Sequence, residues 1–180
     1  QHLFKCGVWC TEVGLVTPKQ QLVNPKPRIC RLEQAQALIN RIGFNNHGAD
    51  TVSKRISSNQ PNGSFGINIW LNKEIKKKEA YYYTCLSKLG MYAGYITINI
   101  SSPNTEGLRD FHDQGELKKL LLGINKITKA KKIDCPIAIK ISPDIKDNEN
   151  SKIVELGNSN KLKGKITDSK IQQTQPDIVT

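Results

Sequence analysis

Hydrophobic and polar positions alternate with period two in Phe65-Gly66-Ile67-Asn68-Ile69, in Tyr95-Ile96-Thr97-Ile98-Asn99-Ile100 and in Pro136-Ile137-Ala138-Ile139-Lys140-Ile141, the pattern of strands. Between the last two, Leu117, Leu120, Leu121, Ile124 and Ile127 recur at helical spacing, with Lys118, Lys119, Lys126 and Lys129 largely off that face. Read from the start, the chain gives a strand over 8–15, a polar loop holding Pro18, Pro25 and Pro27, a short helix over 32–41 and a helix over 47–57. A strand over 65–69, a helix over 74–89, a strand over 95–100, a helix over 115–130 and a strand over 137–141 follow. Gly90 stops the helix over 74–89, and Asp144 after Pro143 is placed to cap whatever comes next. Repeated alternation of strand and helix predicts an α/β fold with a parallel sheet and helical crossovers.

Each of the three alternating strands carries one polar residue next to its end. Their isoleucines point to one face and Asn68, Asn99 and Lys140 to the other. If the strands are parallel neighbours, two amides and an ammonium converge at one sheet edge. After Ile100 the side chains of Ser101, Ser102, Asn104 and Thr105 cluster around Pro103, which ends the strand because proline cannot donate to a sheet ladder. In a barrel of parallel strands the active site lies at that C-terminal edge.

Beyond 150 the pattern fades into polar stretches such as Asn158-Ser159-Asn160-Lys161 and Gln172-Gln173-Thr174-Gln175, so residues 151–180 are expected to be a poorly ordered tail. A complete (β/α)₈ barrel takes about 250 residues. The patterned part, residues 1–150, therefore holds about half of one, and the chain reads as part of something longer.

With 180 residues, 37% hydrophobic and 24% charged, the chain is long enough to bury a core. A net charge of +11 allows anionic partners. The lysines concentrate in 73–79 and 126–132, beside or within predicted helices, where a solvated outer face is the ordinary outcome. No zinc-finger spacing, aromatic RNP pattern or basic heptad occurs, so no specific nucleic-acid binding is expected. The five cysteines are odd in number and widely spaced, as in a reduced, cytoplasmic protein. Cys6 and Cys10 could in principle hold a metal, but no His/Cys pair at ligand spacing follows, and no metal site is expected. There is no apolar run of about 18 residues that would span a bilayer.

Taken in order, several blocks resemble the class 2, quinone-linked dihydroorotate dehydrogenases. They are Val16-Thr17-Pro18 with Asn24-Pro25-Lys26-Pro27-Arg28, the run from Leu38 to Gly48, Gly66-Ile67-Asn68-Ile69, Asn99 to Thr105 with Gly107-Leu108-Arg109, and Pro136 to Asp144. The resemblance implies a (β/α)₈ TIM barrel, half of it in this chain, that binds FMN, oxidises dihydroorotate to orotate and passes the electrons to a quinone in pyrimidine biosynthesis. It implies Ser102 as the base that takes the substrate's C5 proton. Class 1 enzymes have a cysteine there. It further implies flavin contacts from Asn68, Asn99 and Lys140, and substrate contacts from Asn40, Arg41, Ile42, Gly43, Phe44, Asn99 and Asn104. The family acts peripherally on the cytoplasmic side of a membrane, through segments not present in this sequence. Leu15, Trp70-Leu71 and Glu106 depart from its pattern, the first three replacing polar or small residues near the flavin.

A serine or asparagine after a strand is ordinarily turn chemistry, and a lone lysine at a strand end ordinarily snorkels to solvent. Neither explains three strand ends together. The alternative reading is a truncated, non-catalytic remnant whose basic surface binds polyanions nonspecifically.

Overall fold

The computed structural model describes residues 2–72, 78–101, 111, 114–142, 147–159 and 166–167. In chain order the elements are α1 (His2–Lys5), β1 (Cys10–Val16), β2 (Ile29–Leu32), β3 (Ala37–Asn40), α2 (Gly48–Ser58) and β4 (Ser64–Ile69). Then come α3 (Lys78–Leu89), β5 (Tyr95–Asn99), α4 (Gln114–Lys131), β6 (Ile137–Lys140), α5 (Asp147–Ser159) and β7 (Ile166–Thr167). Strands β1, β4, β5, β6 and β7 form one sheet in that order, every pair parallel. This is the α/β alternation that the hydrophobic pattern predicts.

The pleat sorts the side chains. Ile67, Ile69, Ile96, Ile98, Ile100, Ile137, Ile139 and Ile141 are all buried on one face. Helices α2, α3 and α4 cover it with Ala49 and Ile56, with Tyr82, Cys85, Leu86 and Leu89, and with Leu117, Leu120, Leu121 and Ile124. Burial of each such aliphatic side chain is worth about 1.5–3 kcal/mol, which fixes the register: a slip by one residue would carry the isoleucines to the opposite face. α3 packs against both α2 and α4, and α5 against α4. The lysines at 118, 119, 126 and 129 are exposed, as the helical stripe requires.

Two expectations change. The segment 32–41, rich in helix-forming Glu, Gln and Ala, is not a helix. It forms the turn and second strand of an antiparallel hairpin in which Ile29 faces Asn40 and Leu32 faces Ala37. Gln36 closes the turn with its N–H on the Glu33 carbonyl at 3.1 Å and a φ of +46°. All eight strand residues are exposed, so no core stripe rewards a helix, and one this short is marginal on propensity alone. Backbone bonds from Arg41 to Arg28 and from Asn24 to Ile42, both 2.9 Å, extend the ladder below the hairpin and decide the competition. The second change is in the tail: residues 151–159 lie in α5, whose Ile153 is buried, and residues 166–167 add the edge strand β7.

Strands β1 and β4 approach unusually closely at Gly14. A Cβ there would sit 2.6 Å from Asn68 Cβ and 2.8 Å from the Asn68 carbonyl oxygen, and the backbone atom cannot step aside. Gly14→Ala is therefore expected to cost about 1–3 kcal/mol, as overpacking does. The urea midpoint should fall with an unchanged slope.

Candidate active site

In register, Asn68 on β4 stands opposite Thr97 on β5, and Asn99 stands opposite Lys140 on β6. The two amides and the ammonium thus share the face away from the isoleucines, at the C-terminal ends of adjacent parallel strands. Asn68 is 7% exposed and Asn99 3%, so both amides need partners. The Asn68 Nδ2 donates to Glu12 Oε1 of β1 at 2.8 Å, and the Thr97 hydroxyl donates to Glu12 Oε2 at 2.6 Å. Asn68 Oδ1 is buried and accepts nothing among the described residues. An orphaned buried acceptor costs about 1–3 kcal/mol, so this oxygen is poised for an N–H donor from a ligand.

Asn99 is held in the opposite sense. Its Oδ1 accepts from the Ser101 N–H at 3.1 Å and the Ser101 hydroxyl at 2.7 Å, which leaves the amide nitrogen as the end available to donate. From behind, the Tyr82 hydroxyl donates to the Asn99 carbonyl at 2.6 Å, and Phe111 packs edge-on against the Tyr82 ring. An acceptor, a donor and a cation therefore lie along one sheet edge. That set matches a planar ring whose rim carries carbonyl and N–H groups.

The loop after β3 is tied to the same edge. Gln21 Nε2 donates to the carbonyls of Gly43 at 2.9 Å and Phe44 at 3.2 Å, and Asn24 Nδ2 donates to the Arg41 carbonyl at 2.7 Å. The Asn46 Oδ1 accepts from the N–H groups of Thr17 at 3.2 Å and Gly48 at 2.9 Å, joining the end of the loop to the end of β1. Gly43 takes a φ of +91°, and a Cβ there would meet the Asn24 side chain at 2.7 Å. The Phe44 ring lies 5.8 Å from the Trp70 ring, and the Trp70 N–H donates to the Val16 carbonyl at 2.8 Å, so the loop reaches the strand end just beyond Asn68. Asn40 closes β3, and Arg41 Nε donates to the Pro27 carbonyl at 2.8 Å.

The dihydroorotate dehydrogenase family model matches residues 2–180. The chain belongs to the dihydroorotate dehydrogenase family. It is 42% identical over 161 residues to the dihydroorotate dehydrogenase (quinone) of Stutzerimonas stutzeri, a match that covers 85% of this chain and 46% of the relative. With the enzyme of the same name from Aliivibrio salmonicida it shares 45% identity over 166 residues, 89% of this chain and 49% of the relative. The crystal structure of DHODH from Eimeria tenella in complex with ferulenol is similar at a TM-score of 0.73 and 32% identity, covering 84% of this chain and 47% of that one. The chain spans about half the length of the curated relatives it matches.

As in these dehydrogenases, the fold is that of a (β/α)₈ barrel, and the described sheet is a little over half of its wall. The family match runs through residues 151–180, where the sequence pattern predicts a poorly ordered tail and the resemblance offers no recognisable block. Asn68, Asn99 and Lys140 come to one sheet edge, as parallel pairing of their strands requires, and the loop carrying Asn40 to Phe44 reaches the same edge. Ser102 and Asn104 lie outside the described residues, as does Glu106. Trp70 and Leu71, which depart from the dehydrogenase pattern, are buried core residues at 3% and 1% exposure. Leu15 is half-buried and packs against the same core.

Sequence reasoning missed Glu12, Thr97, Gln21 and Asn46. Glu12 had a signal: a carboxylate inside the run Thr11-Glu12-Val13-Gly14 of a strand in a parallel sheet needs a reason to be there. Beside it, the Tyr95 hydroxyl is held above the ordinary phenol range by desolvation, and the Glu12 charge adds to the effect. Among the described residues no helix is long and apolar enough to cross a membrane.

Burial also sorts the thiols. Cys85, behind the sheet, is fully buried, and desolvation pushes its thiol up to about 12. Cys6 and Cys30 are exposed. An aromatic disulfide reagent at neutral pH should label Cys6 and Cys30 and leave Cys85 unmodified until the protein is unfolded.

Proposed function

We propose that this chain supplies one side of the active site of an enzyme that oxidises dihydroorotate to orotate with FMN and a quinone acceptor, in pyrimidine biosynthesis. The observation that carries the reading is the set at the sheet edge: a buried orphan acceptor on Asn68, a donor end on Asn99 and the Lys140 ammonium, next to a loop tied down by Gln21 and Asn46. Relatives covering most of the chain are named for this reaction.

Asn68, Asn99 and Lys140 fit a flavin's polar rim, the ammonium being suited to the negative charge of its reduced form. FMN, when bound, supplies the hydride acceptor for C6 of dihydroorotate and the path of two electrons to the quinone. Ser102 takes the C5 proton, so that the C5–C6 bond becomes the double bond of orotate. A serine is a weak base at its free pKa, and its site must therefore exclude water and carry the proton onward. Asn40, Asn99 and Asn104, with backbone groups from Arg41 to Phe44, hold the substrate's amide edges and carboxylate. Residues 1–150 carry these groups. The quinone acceptor places the enzyme at a membrane surface, on the cytoplasmic side.

The test is binding by the protein expressed from its complete gene. FMN fluorescence should be quenched to an end point of about one flavin per chain, and orotate added afterwards should shift the bound flavin's visible spectrum. A protein that leaves FMN fluorescence unchanged does not carry this function.

A further inference from the structure

Glu12, exposed on the edge strand β1, is the one carboxylate the described structure places among the polar residues of the face away from the isoleucines, and nothing in the proposed reaction uses it. It reaches from β1 across to both β4 and β5, with Oε1 on Asn68 Nδ2 at 2.8 Å and Oε2 on the Thr97 hydroxyl at 2.6 Å. An ionised carboxylate only accepts hydrogen bonds, so it dictates which end of the Asn68 amide faces it. The nitrogen must turn to Glu12, and the oxygen must turn away. That oxygen is the buried acceptor without a partner. The close contact of Gly14 with Asn68 keeps the two strands near enough for this reach.

We infer that Glu12 is a positioning residue that locks the Asn68 amide with its oxygen turned to the ligand, so that the site offers an acceptor where a freely rotating amide would offer either end. The inference rests on the proposed flavin reading, since the ligand addressed by Asn68 is taken to be the flavin. Thr97, 5% exposed, completes the lock by holding the second carboxylate oxygen and so fixing the rotation of the Glu12 head. Glu12 need not touch the ligand itself. Its effect on binding passes through Asn68.

FMN titration of the protein expressed from its complete gene, followed by fluorescence quenching, tests this with a double-mutant cycle. Glu12→Ala should raise the Kd for FMN about tenfold, the value of one well-directed hydrogen bond. In an Asn68→Ala background the same substitution should change the Kd by less than about twofold. Glu12→Gln should stay within about threefold of the parent, because its carbonyl can still accept from Asn68 while the Thr97 hydroxyl turns to accept from its amide. Should Glu12→Ala lose the parent's far-ultraviolet circular dichroism, Glu12→Asp, with the carboxylate drawn back by one methylene, replaces it with the same expectation. An unchanged Kd in Glu12→Ala, an equal loss in the Asn68→Ala background, or a Glu12→Gln protein as weak as Glu12→Ala would each overturn the inference and leave the flavin reading standing. A parent protein that does not bind FMN would overturn both.

Discussion

Ser102→Ala is expected to slow reduction of the bound flavin by dihydroorotate about 10²–10⁴-fold, the usual cost of losing general-base catalysis, while FMN stays bound. The proposed roles separate cleanly. In the proposal Ser102 handles the C5 proton, while Asn68 of β4, Asn99 of β5 and Lys140 of β6 hold the flavin. Asn99 ties the start of the segment to the sheet, since its Oδ1 accepts from both the backbone and the hydroxyl of Ser101. Removing one hydroxyl at the next residue leaves that anchorage in place. Anaerobic stopped-flow absorbance of the flavin reads the rate, and fluorescence quenching reads occupancy. An alanine variant that reduces its flavin as fast as the parent would remove Ser102 from the mechanism.

The largest effect on stability is expected from Phe111→Ala. Phe111 is 1% exposed and meets Tyr82 edge-on at 5.9 Å, and Tyr82, fully buried, donates its hydroxyl to the Asn99 carbonyl at 2.6 Å. Truncating a buried phenylalanine costs about 3–5 kcal/mol, a large share of the 5–15 kcal/mol or so by which domains are stable. The cavity would open beside Tyr82 and free the ring that backs Asn99. The urea midpoint should therefore fall steeply, and FMN affinity measured well below the transition should fall with it. Tyr82→Phe, which keeps the packing and deletes only the hydrogen bond, should cost about 1 kcal/mol. A Phe111→Ala protein with the parent's midpoint would show that this contact does not carry the core.

The centre of the sheet was legible because β4, β5 and β6 share one rule: isoleucine on the helix side next to a polar residue on the other. Ile67/Asn68, Ile98/Asn99 and Ile139/Lys140 each repeat it, so strand identity, register face and the meeting of three site residues could be read together. The hairpin was not legible, because Glu33 to Ala37 favours helix locally. What overrides that preference is a set of backbone bonds from Arg28 and Asn24 to residues more than ten positions away. Helix α5 was hidden for a related reason: its buried side, exemplified by Ile153, is set among so many polar residues that the period is faint. Glu12 illustrates a different limit. Its residue type was visible, but the pairing of β1 with β4 and the resulting reach to Asn68 and Thr97 are properties of the folded sheet.

Product formation tests the proposed reaction most directly. The FMN-loaded protein, expressed from its complete gene, is mixed anaerobically with dihydroorotate, and the flavin's visible band and the ultraviolet band of orotate are followed together. The flavin should bleach as about one orotate forms per flavin, and adding a quinone should restore the flavin colour and let orotate accumulate. Flavin that remains oxidised in excess dihydroorotate, with no orotate formed, would contradict the proposed reaction.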